Sequence, residues 1–140
     1  MSQYLQWALT NFAPEFFKFP IISTKPISAM FNLFKTASRN AAYTNLSPNE
    51  FISKLNKTQD AVILDVRTPA EFQSGALDNA INIDFFSPTF QQRLGMLDKS
   101  KSYFVYCRSG NRSAQACKIM NSLGFSRLYN MAGGLMELDY

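Results

Sequence analysis

From Ala42 onward the chain alternates two apolar patterns: short continuous runs, and stretches whose apolar residues recur every three or four positions. The first reads as strand and the second as helix, because side chains alternate across a strand but gather on one face of a helix. Ala42-Tyr43-Thr44-Asn45-Leu46 is a short first strand. Ser47, Pro48 and Glu50 stand where an N-cap, a first helical position and a capping-box acid belong. Phe51, Ile52 and Leu55 give that helix one apolar face, to about Asn56. Ala61 to Asp65 is a continuous apolar run ending in a carboxylate, as suits a central parallel strand covered on both faces. Ligands of such sheets bind at that carboxyl end.

Arg67-Thr68-Pro69 turns the chain into one helical turn, Pro69 to Phe72, and Ile81-Asn82-Ile83 reads as a further strand. Ser87-Pro88-Thr89-Phe90 predicts a helix that opens as Ser47-Pro48 does and runs to Gly95 or Leu97, ahead of a polar turn at Asp98-Lys99-Ser100-Lys101. Tyr103 to Tyr106, aromatic and β-branched, predicts a buried strand. Arg112 to Leu123 predicts a helix with Ala116, Ile119, Met120 and Leu123 on one face, stopped by Gly124. Arg127-Leu128-Tyr129 is a last strand, Ala132-Gly133-Gly134 a tight turn, and Leu135 to Leu138 a short terminal helix.

Residues 1–40 break the pattern and are expected to form an N-terminal extension, loosely ordered or partly helical, ahead of a domain spanning 41–140. Leu5, Leu9, Phe12, Phe16 and Phe19 follow a helical stripe that Pro14 interrupts. Broken apolar stretches without a basic start do not fit a secretory signal, and none is long enough to span a bilayer. The readings left are a loose extension, a segment packed on the domain or a partner, and a membrane-surface helix, of which membrane contact is not the expectation. Met30-Phe31-Asn32-Leu33 also looks like a natural protein start.

Composition narrows the class. At 140 residues and 46% hydrophobic content, one α/β domain with its own core is the natural reading. The net charge is +4, and Lys18, Lys25, Lys35 and Arg39 against Glu15 place most of that excess in the extension. No long basic cluster falls on a predicted element, so a nucleic-acid partner is not expected. Histidine is absent, which removes Cys-His proteases and zinc hydrolases. Cys107 and Cys117 are wrongly spaced for a zinc site, and both read as reduced thiols, which points to a cytoplasmic setting.

The candidate chemistry lies between the strand at Tyr103–Tyr106 and the next helix. A strand that feeds a helix through a tight loop aims several free N–H groups at one point, and the helix dipole adds positive charge there. Cys107 opens this loop, and the expectation is that its sulfur lies at the rim of the resulting anion cradle. Arg108 and Arg112 flank it, and every one of these influences favours the thiolate. Gly110 lets the backbone turn inward, while Ser109 and Asn111 supply small polar side chains. Asp65, Arg67 and Glu71 are expected to form an ion-pair network that braces the loop. Cys117, on the inner side of the helix, reads as core filling.

Three more stretches accompany the loop in order: Ile63-Leu64-Asp65-Val66-Arg67-Thr68-Pro69-Ala70-Glu71-Phe72, Gly75-Ala76-Leu77-Asp78-Asn79-Ala80-Ile81-Asn82-Ile83 and Asn130-Met131-Ala132-Gly133-Gly134-Leu135. With them the chain, from about Tyr43 to Asp139, resembles the rhodanese-like single-domain sulfurtransferases. The resemblance implies a rhodanese-like α/β fold, with about five parallel strands flanked by helices on both faces. It further implies sulfane-sulfur transfer through a Cys107 persulfide, with Arg108, Ser109, Gly110, Asn111 and Arg112 binding the donor, Asp65 and Arg67 in support, and the Ala132-Gly133-Gly134 turn beside the cysteine loop. The donor is expected to be a small sulfur anion, thiosulfate-like, or a persulfide. The acceptor is cyanide, a thiol, or a thiol protein such as thioredoxin, and neither metal nor organic cofactor is implied.

Two departures stand out: Ala76 replaces the family's usual histidine and Asn79 a usual glycine. Asn79 tolerates a left-handed backbone, so the turn is expected to survive. A cysteine phosphatase or arsenate reductase is the nearest chemical rival. It uses a longer cysteine-to-arginine loop than the four residues Arg108 to Asn111 found here. A rhodanese-like binding module without turnover is the rival from another class.

Overall fold

The computed structural model describes residues 41–138, and the expectations for the N-terminal extension lie outside the described residues. Five strands form: β1 (Thr44–Leu46), β2 (Ala61–Asp65), β3 (Ile81–Asn82), β4 (Ser102–Tyr106) and β5 (Leu128–Met131). They pair in parallel throughout, in the order β1-β5-β4-β2-β3. Between them run α1 (Pro48–Leu55), α2 (Pro69–Gln73), α3 (Phe90–Gly95) and α4 (Asn111–Ser122), and a 3-10 turn closes the domain at Gly134–Glu137.

Strand alternation explains the layering. Tyr103 and Val105 of β4 share one face with Leu64 and Leu128, packed against Phe90 and Leu94 of α3 and Ala116, Cys117 and Met120 of α4. Phe104 and Tyr106 point the other way and pack with Ile63, Met131 and Phe51 of α1. A strand with cores on both sides has no polar face, which is why β4 is buried from end to end. Each such apolar side chain contributes roughly 1.5–3 kcal/mol by leaving water. β4 is therefore the most firmly held strand, and the loop leaving its last residue inherits a fixed starting point. The Val66 N–H donates to the Tyr106 carbonyl at 3.1 Å and carries the β2–β4 ladder to the edge of the cysteine loop.

Most predicted elements stand at their predicted places. The Ser47 capping box forms with Glu50, as the sequence of α1 demands. Asn79 has φ 61°, in the left-handed region expected for the residue that replaces glycine. The helix predicted to open at Ser87-Pro88 is a correction. Ser87 and Thr89 satisfy one another instead, their hydroxyls 3.0 Å apart, in a turn closed by the Phe90 N–H on the Ser87 carbonyl. Thr89 precedes α3 at φ −97°, ψ 10° without a side-chain cap, so the helix begins at Phe90. The terminal segment is a 3-10 turn, and its first amides are used by the cysteine loop.

Candidate active site

Cys107 is the first residue past β4, and the chain must reverse within the next few residues to enter α4. Gly110 makes the reversal at φ 87°. A Cβ there would stand 2.9 Å from both the Gly133 nitrogen and the Met131 carbonyl oxygen, so a side chain is excluded by sterics as well as by backbone preference. On its other flank the loop lies so close to Gly134 that a Cβ on that residue would collide with the Arg108 carbonyl.

That contact orients the loop amides. The Cys107 carbonyl accepts from the Leu135 N–H at 3.1 Å and the Arg108 carbonyl from the Met136 N–H at 3.0 Å. In a trans peptide the C=O and the adjoining N–H point in opposite directions. With both carbonyls drawn toward the 3-10 turn, the N–H groups of Arg108 and Ser109 face the interior of the loop. The Gly110 N–H donates to Cys107 Sγ at 3.1 Å. Gly110 is also the N-cap of α4, and having no side chain it leaves the first-turn amides and the positive end of the helix dipole to the sulfur.

Ser113 completes the ring. Its hydroxyl lies 3.4 Å from Cys107 Sγ and 3.1 Å from the Gly110 carbonyl oxygen, and it carries one proton for the two. A thiolate draws that proton to itself, since hydrogen bonds to charged acceptors are the stronger. Burial alone pushes the Cys107 thiol up, but the Ser113 hydroxyl and the N–H groups of Ser113, Ser109 and Gly110 outweigh it and hold the thiol below its ordinary value. Cys117, buried in the core without such donors, is pushed up to about 12.

The structure corrects the position of the sulfur. Cys107 is 0% exposed, on the floor of the cradle rather than at its rim. It continues the face of Tyr103 and Val105 into the core, and the loop closes over it. Arg108, Ser109 and Asn111 are exposed around the mouth, while Gly110 and Ser113 are buried.

Ion pairing differs from expectation as well. Glu71 does not join Asp65 and Arg67; both its oxygens accept from Arg112, at 2.8 and 2.7 Å. The reason lies in α2, where Thr68 and Glu71 form a second capping box that fixes the carboxylate within reach of Arg112. Arg112 holds the Glu71 carboxyl down at about 2. Glu71 and, more weakly, Cys107 raise Arg112 in turn, against the effect of burial.

Asp65 and Arg67 form their own buried pair, with guanidinium-to-carboxylate distances of 2.6–3.0 Å. Arg67 also donates to the Gly75 carbonyl at 2.7 Å, the Leu77 N–H donates to the Tyr106 hydroxyl at 3.1 Å, and the Asn82 amide holds the carbonyls of Asp65 and Arg67. This network ties the segment after α2 to the strand that carries Cys107. It does not reach the sulfur, so Asp65 and Arg67 brace the site from outside. A groove of about 270 Å³ beside the loop is lined by Arg67, Glu71, Ser74, Arg108, Leu135 and Met136. Among the described residues no cluster of His, Cys, Asp or Glu could hold a metal ion, and no helix is long and apolar enough to cross a membrane.

Sequence reasoning assigned no role to Ser113 or Asn82. The signal for Ser113 was its place in the first turn of α4, one helical turn after Gly110, where a hydroxyl reaches back toward the loop.

A parallel α/β domain that presents one cysteine inside a ring of N–H donors, past the carboxyl end of its central strand, defines a class built to stabilise a sulfur anion. Residues 47–139 match the Rhodanese-like domain, and the chain belongs to that family. It is 34% identical over 83 residues to a sulfurtransferase of Allochromatium vinosum, covering 59% of this chain and 76% of that protein. It is 28% identical over 102 residues to a tRNA uridine(34) hydroxylase of Pelagibacter ubique, covering 72% of this chain but 34% of that protein. Among solved structures, a rhodanese-like domain protein from Staphylococcus aureus is similar with a TM-score of 0.60 at 28% identity, covering 67% of this chain and 89% of that one.

Proposed function

We propose that this protein is a sulfurtransferase that carries sulfane sulfur as a persulfide on Cys107. The observation that carries the reading is the donor set on Sγ: the Gly110 N–H at 3.1 Å and the Ser113 hydroxyl at 3.4 Å, on a thiol whose ordinary value they lower. A thiolate formed this way needs no neighbouring imidazole, which fits a chain without histidine. Similarity to the Allochromatium vinosum sulfurtransferase supports the same activity.

In the first step the Cys107 thiolate attacks the outer sulfur of the donor. A new S–S bond forms, the donor's own S–S bond breaks, and its electron pair departs with the leaving group, sulfite from a thiosulfate-like donor or a thiolate from a persulfide. The outer sulfur now carries the negative charge, and the N–H groups of the loop stabilise it as oriented donors do any developing anion. In the second step a thiolate or cyanide acceptor attacks that outer sulfur and releases Cys107 as thiolate. Arg108 supplies positive charge for the incoming donor, Arg112 flanks the donor's approach with its charge paired to Glu71, Ser109 and Gly110 contribute amides, and Asn111 opens the helix whose dipole faces the sulfur. A protein thiol such as thioredoxin suits the acceptor step.

Intact-mass analysis after incubation with thiosulfate or glutathione persulfide tests the reading. The expected result is a gain of about 32 Da, one sulfur on a covalent cysteine nucleophile. Cys107→Ser abolishes it and Cys117→Ser does not. Complete burial of Cys107 favours one second reading, a rhodanese-like module that binds a partner without turnover, and in that case neither donor adds mass. Release of phosphate from an aryl phosphate without sulfur uptake would instead mark a cysteine phosphatase.

A further inference from the structure

The Glu71–Arg112 pair limits what kind of donor the cradle accepts. Arg112 neighbours Cys107, yet both its terminal nitrogens are committed to Glu71, at 2.8 and 2.7 Å. Glu71 cannot swing aside cheaply, because its Oε2 also accepts from the N–H and hydroxyl of Thr68, each at 2.9 Å. The carboxylate stays ionised throughout the neutral range, since Arg112 holds it at about 2. Arg108 is exposed, and among the described residues its guanidinium forms no ion pair.

The formal charges around the mouth are then the Cys107 thiolate and Glu71 against Arg108 and Arg112, which cancel before any donor arrives. A compact dianion such as thiosulfate brings two uncompensated charges next to a fixed carboxylate. A persulfide, R–S–S⁻, brings one at its reacting end. We infer that Glu71 is a specificity-determining residue that makes this site select a persulfide donor over a small sulfur dianion. The step is the one already described: the Cys107 thiolate takes the outer sulfur, the donor S–S bond breaks, and R–S⁻ leaves with the electron pair, with no oxidant required. The inference rests on the sulfurtransferase reading and adds the donor class.

The experiment is single-turnover loading of the full chain with glutathione persulfide and with thiosulfate, then intact mass, in the wild type and in Glu71→Gln. Glutamine keeps an oxygen acceptor for the Thr68 cap, so α2 is expected to hold, while loss of the ion pair with Arg112 lowers the melting temperature without unfolding the domain. In the wild type the persulfide loads faster than thiosulfate at equal concentration. Glu71→Gln raises the thiosulfate loading rate about tenfold, as removal of a like charge several ångströms away predicts for a dianion, and the persulfide rate, with one charge at its reacting end, only about threefold. Equal changes for both donors, or a fall in both, would show that Glu71 only positions Arg112 and would overturn the inference. Wild-type loading by thiosulfate as fast as by persulfide overturns it without recourse to the variant. Loading from neither donor in either protein removes the sulfurtransferase reading itself, and the inference with it.

Discussion

At the scale of the residue, the site is one sulfur held by donors that lie close in sequence. Cys107, Gly110 and Arg112 were legible there, because a strand that breaks into a short glycine-containing loop before a helix forces its amides to converge. Ser113 was not assigned, although its hydroxyl lies 3.4 Å from Sγ and helps to hold the thiol below its ordinary value. The sequence does not reveal toward which of two acceptors a hydroxyl turns. Ser113→Ala should raise the Cys107 titration midpoint by about 1–2 pH units, the worth of one hydrogen bond to a charged group. Thiolate absorbance against pH, with Cys107→Ser subtracted, would measure it; an unmoved midpoint would show that the hydroxyl serves only the Gly110 carbonyl.

Glu71 illustrates the opposite case. Its partner lies 41 residues away, and its value to α2 as a capping acid was hidden by its apparent proximity to Asp65 and Arg67. Its folded-state carboxyl sits at about 2 against an ordinary 4.5, so it contributes stability that is present above the ordinary value and lost as pH falls through about 2. Urea midpoints of the wild type and Glu71→Gln should therefore converge as the pH drops from 5 toward 2, within the limits set by the general acid unfolding of the chain.

At the scale of the element, strand periods and capping signals placed β2, α1 and β4 nearly to the residue, because burial on two faces and a Ser-Pro-x-Glu cap leave little freedom. The same signal failed at Ser87-Pro88, where no acid stands three residues on to complete the box and Ser87 and Thr89 close a turn between themselves. The family resemblance, not local pattern, placed the Gly133-Gly134 turn beside the cysteine loop, and what the turn does there was not visible in the sequence. Its role emerges only when the turn meets the cysteine loop and the Leu135 and Met136 amides that follow it pull the Cys107 and Arg108 carbonyls outward. Gly134→Ala places a Cβ against the Arg108 carbonyl and requires φ 63° of a non-glycine residue. The expected cost is about 1–3 kcal/mol of stability, with a raised Cys107 midpoint as the amides turn away. A variant with wild-type titration would mean the loop is oriented by other contacts.

At the scale of the molecule, a two-faced parallel sheet supplies rigidity and the buried Asp65–Arg67 pair keeps the carboxyl edge of the sheet in register with the segment after α2. Asp65 is 0% exposed, so Arg67→Met leaves a carboxylate buried without its partner. Such a loss costs about 3–5 kcal/mol, readable as a fall in the urea midpoint; a change below about 1 kcal/mol would show that water or a rearranged Asn82 replaces the guanidinium. The same rigid frame accounts for a sulfur that is buried yet charged, since the donors that ionise it are fixed by backbone bonds to β4, α4 and the 3-10 turn. The most direct measurement is a pH titration of the Cys107 thiolate in the intact protein, by difference absorbance against Cys107→Ser. A midpoint clearly below the ordinary thiol value of about 8.5 is expected, and a midpoint at or above it would mean that the loop donors do not outweigh burial.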